Sequence, residues 1–259
     1  MTSQANNMLP NSQRFEASFD ARAYLEEYFT DLDDEDFFMA RVMAKLLRPL
    51  PGQLLVHEFG GGPTLYSVAA LCAKAREIHF SDAVTSSLVE VQRWLDGKLE
   101  AFDWQPYIRL ALEAEGTAAT PETITQRATD MRRQLTRLML CDAQSRTPLG
   151  DSSLKYDLVA AHHCTDVAAT TVDEWHQVMR NVSSLVIPGG WLIVSVTTGT
   201  TSYTVGANQF SCVDLTPEQV AEGYRTAGYE PNSIVIERHA VEEDREYSGV
   251  IVAVARKSL

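Results

Sequence analysis

Apolar positions follow two different rhythms along this chain. Over 18–48 they recur at helical spacing, in ARAYLEEYF and again in EDFFMARVMAKLLRPL, and Arg48-Pro49 closes the second run. From Leu54 onward short apolar runs take over. LLVHEF (54–59), EIHFS (77–81), the run 137–141, YDLVAA (156–161) and the run 191–196 predict buried strands. Helical patterns separate them over 64–75, 86–95, 173–185 and 217–227, and 97–136 reads as a longer, partly helical insertion. A Thr/Ser-rich loop follows Val196, and two β-rich runs, 233–239 and 250–255, close the chain with only a polar loop between them. Alternation of this kind means a doubly wound α/β fold, mostly parallel, with an antiparallel C-terminal hairpin. The helical run 14–48 becomes an N-terminal lid, and the whole of 1–259 reads as one domain. Residues 1–13, polar and without periodicity, read as disordered.

Composition narrows the function classes. The 259 residues are 45% apolar, ample for a real core. With 22 Lys plus Arg against 35 Asp plus Glu the formal charge is −13, which argues against a chain built to grip nucleic acid. No run approaches the ~18–20 apolar residues of a membrane span, and MTSQANNMLPNSQ is no signal peptide. The expectation is a cytoplasmic protein, monomeric, without nucleic-acid or membrane partners. Cys72, Cys141, Cys164 and Cys212 stand far apart and read as free, buried thiols rather than zinc ligands.

Ligands of a doubly wound sheet bind at the carboxyl ends of its strands. The first strand delivers Gly60, Gly61 and Gly62; the second delivers Asp82, twenty residues past Gly62; the third delivers Asp142. The fourth delivers His162, His163, Cys164 and Asp166. Glycines allow close backbone approach, and an acid about 20 positions on suits ribose hydroxyls. A dinucleotide fits poorly, because Leu65 fills the third glycine position of G-x-G-x-x-G and Pro63 interrupts the turn. A second acid at Asp142 is unhelpful near pyrophosphate but suits adenine or a cation. The cofactor that combines adenosine with positive charge and no phosphate is S-adenosylmethionine.

The segments FDARAYLEEYF, FGGGPTLY, SDAVTSSL, EAFDW, CDAQSRTPLG, NVSSLVIPGGWLIV and SYTVGANQFSC closely resemble the nicotinamide, phenylethanolamine and indolethylamine (thioether) methyltransferases, from about Phe15 to Lys257. That resemblance implies a Rossmann-like fold and a small-molecule methyl acceptor. It implies that Tyr24 and Phe29 cover the cofactor, that Gly60, Gly61, Gly62 and Thr64 cradle its methionine portion, and that Tyr66 supports it. Asp82 would bind the ribose, with Ala83 and Ser87 nearby; Asp142 and Ala143 would contact adenine; His162 and Cys164 would lie beside and behind it. Phe15, His163, Asp166, Tyr203, Cys212 and Arg245 fall at positions lining the acceptor pocket in relatives. There are departures. Phe29 replaces a common tyrosine, Gly61 a serine and Ser87 an asparagine. Val196, Thr200 and Arg245 stand where amine methyltransferases of the family can carry acids, so the carried-over pocket is poorer in negative charge.

Methyl transfer from a sulfonium needs alignment in a water-poor pocket more than it needs a metal or a covalent nucleophile, and orientation alone is worth ~7–11 kcal/mol. A protonated amine must first lose a proton, and Asp166 or His163 is the catalytic group to take it. A nitrogen heteroaromatic or a thioether needs no base. Transfer to nitrogen leads, transfer to the sulfur of a thioether or thiol is second, and a non-catalytic nucleoside-binding protein is third. From the residues alone His163 also reads as a structural histidine, Asp166 as a helix cap, Tyr203 as packing and Arg245 as one of the solvated charges in EEDRE.

Overall fold

The buried apolar runs form strands. In the computed structural model, which describes residues 11–241 and 246–259, these are β1 (Leu54–Phe59), β2 (Ala75–Asp82), β3 (Leu135–Leu140), β4 (Tyr156–His162), β5 (Val186–Thr198), β6 (Ser202–Val205), β7 (Asn208–Ser211), β8 (Val235–Ala240) and β9 (Gly249–Arg256). Seven of them make one sheet in the order β3-β2-β1-β4-β5-β9-β8. The first five run parallel, and β9 enters antiparallel between β5 and β8. The order reverses between β1 and β4, which opens a crevice over their carboxyl ends.

Helices cover both faces because successive strand residues point to opposite sides. Leu158 and Ala160 of β4 join one core, with α3 (Asp34–Leu47), α4 (Tyr66–Leu71), α5 (Thr85–Leu95), α6 (Gln105–Glu115) and α7 (Pro121–Gln134). Val159 and Ala161 join the other, with α8 (Val172–Ser183) and α9 (Pro217–Thr226). The insertion 97–136 is therefore structural: Trp104, Tyr107, Ile108, Ile124 and Met131 are all buried. On the far face Gly223 leaves room for the ring of Trp175, whose Cζ3 would lie 2.3 Å from any Cβ there.

The lead-in forms α1 (Asn11–Ser18), α2 (Ala21–Tyr28) and α3. The disorder expected of 1–13 falls on residues outside the description up to position 10, but helix α1 already begins at Asn11. Asp33 caps α3 in a reciprocal box with Asp36, and the apolar positions Phe38, Met39, Val42, Met43, Leu46 and Leu47 bury one face of it.

Three elements depart from the sequence reading. Helix α4 stops at Leu71, because β2 starts as early as Ala75. Strand β5 begins before Pro188-Gly189-Gly190 and absorbs that turn as a bulge, with Tyr156 opposite Val186 but Leu158 opposite Trp191. The Thr/Ser-rich loop contains the hairpin β6–β7, closed by a two-residue turn with Gly206 at φ 56°. No helix among the described residues is long and apolar enough to cross a membrane.

Candidate functional site

A cavity of about 380 Å³ lies over the carboxyl ends of β1, β2 and β4 and under the N-terminal helices. Its size suits one drug-sized ligand or a pair of small ones.

Backbone builds its inner half. Gly60 and Gly62 sit at φ 65° and 61°, conformations that disfavour any side chain. A Cβ on Gly60 would meet Cys164 Cβ at 2.6 Å and Sγ at 2.7 Å, whereas one on Gly62 would meet nothing within 4 Å. Gly61, where the resembling family often has serine, faces the Phe80 ring 2.4 Å from its Cβ position, so Phe80 takes up the space. Thr64 Oγ1 donates to Gly61 O at 2.7 Å and closes the turn. Asp82 holds the turn from the next strand: Oδ2 accepts from Gly62 N–H at 2.8 Å and Oδ1 from Val84 N–H at 2.9 Å. Burial raises its carboxyl to about 6 against the pull of those two N–H groups. Ala83 lines the cavity, while Ser87 is fully buried beside Asp82 on α5 and does not reach the cavity wall.

Asp142 and Ala143 follow β3 and line the same half. Asp142 Oδ1 accepts from Gln144 N–H at 2.9 Å, and Asn181 Nδ2 donates to Ala143 O at 3.0 Å. His162 pairs Nδ1 with Ser195 Oγ at 3.1 Å, and burial drives its pKa down to about 3, so the ring is neutral. Cys164 donates Sγ–H to Phe59 O at 3.1 Å, and burial pushes the thiol up, which removes it as a nucleophile. Glu58, passed over in the sequence because it lies inside a buried strand, also lines the cavity. It is 1% exposed, its Oε2 has no hydrogen-bond partner among the described residues, and burial raises its carboxyl. The available signal was an acid within the apolar run just before the glycines.

The outer half is made of side chains. Tyr24 and Phe29 line it, and Phe29 stacks on Tyr66 at 5.7 Å between centroids. Phe15 lines it too, stacked on Phe210 of the hairpin at 5.0 Å, and Tyr203 stacks on the same ring at 5.5 Å. His163 leaves β4 with φ 49°, held by its N–H on Ser195 O at 2.9 Å. Asp166 is fully buried and caps no helix, since Thr171 caps α8. Its Oδ2 accepts from Thr197 N–H at 3.1 Å and Thr197 Oγ1–H at 3.0 Å, and its Oδ1 has no partner among the described residues. Burial raises the Asp166 carboxyl, and the charge of His163 is the first influence opposing it.

Three expectations about the acceptor side need correction. Cys212 does not line the cavity: its Sγ turns to Thr200 O at 3.7 Å, and burial raises the thiol to about 12. Val196 is buried in the core under α8 and α9, and its neighbour Thr197 takes the place at the wall. The pocket is also richer in acids than the carried-over positions imply. Asp33, Glu35, Asp36 and Glu246 add four acids that the sequence reading missed, besides Glu58, Asp82, Asp142 and Asp166. Burial raises Asp36 to about 7. Among the described lining residues there is no Lys or Arg; Arg245 lies outside the described residues. Nothing in the sequence pattern singled out the acids of α3, which read there as an ordinary helix start.

An enclosure of acidic side chains and aromatic rings, with no Lys or Arg among its described residues, receives positive charge on an organic body and repels phosphate. Its inner half has a glycine cradle, a paired carboxylate and an unpartnered buried acid, which fit a positively charged adenosine compound.

The sequence matches the NNMT/PNMT/TEMT family over residues 7–258. It is 32% identical to indolethylamine N-methyltransferase of Oryctolagus cuniculus across 80% of this chain and 78% of that protein. It is 29% identical to nicotinamide N-methyltransferase of Homo sapiens across 82% of each. Among solved structures, magnesium protoporphyrin IX methyltransferase from Synechocystis PCC 6803 with bound SAM superposes with a TM-score of 0.60, at 15% identity, over 97% of this chain and 100% of that one.

Proposed function

We propose that this chain, which belongs to the NNMT/PNMT/TEMT family and is an S-adenosylmethionine-dependent methyltransferase, methylates the nitrogen of a small amine that arrives as a cation. The observation that carries this reading is the cavity lining: eight acidic side chains and a shell of aromatic rings, with no Lys or Arg among the described residues. The indolethylamine and nicotinamide N-methyltransferases among its relatives support it.

When bound, S-adenosylmethionine supplies a methyl group on a sulfonium, whose C–S electron pair stays with sulfur as a nitrogen lone pair takes the carbon. The chain's residues prepare that event. Gly60, Gly61, Gly62 and Thr64 would hold the methionine portion, Asp82 the ribose, and Asp142 with Ala143 the adenine. Tyr24, Phe29 and Tyr66 exclude water over the reacting atoms. Asp166 Oδ1, buried and unpartnered, receives the ammonium of the acceptor. His163 takes its proton and frees the lone pair. Phe15 and Tyr203 face the acceptor's body. The enzyme works as a cytoplasmic monomer on free small molecules, a reading that the charge of −13 supports by disfavouring nucleic acid.

An acceptor panel with a labelled methyl donor tests the proposal. Label is expected in arylalkylamines and other small amines. Turnover confined to sulfides or thiols would move the reaction to sulfur and overturn it.

A further inference from the structure

Among the described residues, the carboxylate of Glu35 joins His163 to the lid. The Nε2 of His163 is buried without a hydrogen-bond partner among the described residues, and Oε1 of Glu35 stands 3.8 Å away. Glu35 lies in the first turn of α3, with its N–H on Asp33 Oδ1 at 2.9 Å. Its second oxygen accepts the hydroxyl of Tyr247, from the segment before β9. The carboxylate is thus fixed from one side by the helix cap and from the other by a tyrosine, and its remaining oxygen faces the imidazole. His163 itself holds a backbone conformation that few side chains adopt, which turns the ring off the end of β4 toward the cavity.

We infer that Glu35 is a positioning residue for His163: facing Nε2, it orients the ring and stabilises the imidazolium formed when the other ring nitrogen, Nδ1, takes a proton from the ammonium acceptor, so the base is complete only with α3 docked over the cavity. The inference rests on the N-methylation reading. The proton passes from the acceptor's nitrogen to His163 Nδ1, the nitrogen keeps its lone pair for the methyl group, and the proton later leaves Nδ1 to water. The side chain of His163 is 20% exposed, so that exit is open.

Other titratable groups share this end of the cavity. From β4 and the turn after it come His162, held neutral by burial at about 3, and Asp166, bound to Thr197. From α3 come Asp33 and Asp36, engaged with each other's backbone in the capping box. Tyr24 enters from α2, and Glu246 and Tyr247 precede β9. Among the described residues, Glu35 stands 3.8 Å from the ring on the lid side, and Asp166 feels the ring from the β4 side.

Ring protons of the histidines, followed by NMR against pH with His163 assigned by its loss in His163→Gln, read this out without any substrate. Glu35→Gln is expected to lower the His163 midpoint by about 0.5–1 unit. Glu35→Asp, which keeps the charge, is expected to restore most of it. In turnover of an amine that the wild type accepts, Glu35→Gln moves the acidic limb of kcat/KM to lower pH by the same amount and lowers kcat about three- to fivefold. Binding of S-adenosylhomocysteine is expected to stay unchanged. Unaltered His57 and His79 signals report that the variant is folded. A His163 midpoint unmoved by Glu35→Gln, or moved as far by Glu35→Asp, overturns the inference. Absence of any amine turnover by the wild type would instead defeat the reading on which it rests, whatever the titration shows.

Discussion

The two halves of the cavity are built in opposite ways. At the strand tips the backbone forms the wall: a glycine turn, two N–H groups closed on Asp82, and a loop after β3 pinned by Asn181. Strands buried on both faces hold these groups with little freedom to move. Over them the acceptor half is assembled from side chains of distant segments, α1 to α3, the β6–β7 hairpin and the loop before β9. Side-chain bonds tie that roof together. Tyr28 Oη donates to Thr204 O at 2.6 Å, Asn208 Nδ2 to Ser18 O at 3.0 Å, and Gly206 N–H to Glu27 at 3.0 Å. With donor and acceptor assigned to the two halves as proposed, one methyl donor can serve many acceptors: the cradle is part of the sheet, and the wall beside the acceptor lies on attached elements.

Damage to the cradle should be the most severe. Gly60→Ala forces a side chain onto Cys164 from a left-handed backbone position, and a loss of about 2–4 kcal/mol in denaturant unfolding is expected, with S-adenosylhomocysteine binding abolished. Wild-type stability in that variant would mean that the inner half is softer than the sheet beneath it.

Asp166→Asn keeps an acceptor for Thr197 but removes the charge facing the acceptor. A fall in kcat of about a hundredfold is expected, while calorimetry finds cofactor affinity within about twofold of wild type. Equal losses in both would erase the division between halves.

Asp82→Ala is the complementary test. It removes the acceptor of two N–H groups and the carboxylate for the ribose, and should raise the dissociation constant of S-adenosylhomocysteine about 10–100-fold with little change in acceptor KM. The same carboxyl sets a pH dependence. It takes up a proton as pH falls through about 6, and the protonated form cannot accept from both ribose hydroxyls. Affinity in the wild type is therefore full above pH 6 and declines below it, approaching tenfold per unit. In Asp82→Ala that acidic limb disappears. A limb that persisted would assign the titration to another acid, such as Glu58.

The smallest effect belongs to the roof. Tyr28→Phe deletes the hydroxyl contact with the hairpin, and a change of about 1 kcal/mol or less in unfolding is expected, with acceptor KM up about two- to threefold and cofactor binding unaltered. A matching loss of cofactor affinity would show that roof and cradle move as one.

The same contrast decides how much could be read from the residues. Gly60, Gly62, Asp82 and Asp142 were legible because each stands directly after a strand, where chain order and spatial order coincide. Glu58 was hidden by that same logic, since an acid within a buried run looks like a sheet residue. The hairpin β6–β7 was missed because its strands are four residues long and rich in Ser and Thr, and its cross-strand pair Tyr203 and Phe210 packs against Phe15 from the distant α1. Glu35 carried no signal at all. Its neighbours Asp33 and Asp36 explain themselves as a helix cap, and Tyr247 and His163 lie far along the chain.

Periodicity, turn residues and acids at strand ends, all local in the chain, were enough to specify a parallel sheet with a nucleoside cradle at its carboxyl edge, because such features act through backbone geometry that neighbouring residues set. Which carboxylates face the acceptor, that Cys212 turns away, and that His163 has a partner on α3 were decided only when the helical lead-in docked over the sheet. Packing of remote segments fixes side-chain direction and burial, and those two quantities set the charge and hydrogen-bonding of the acceptor pocket.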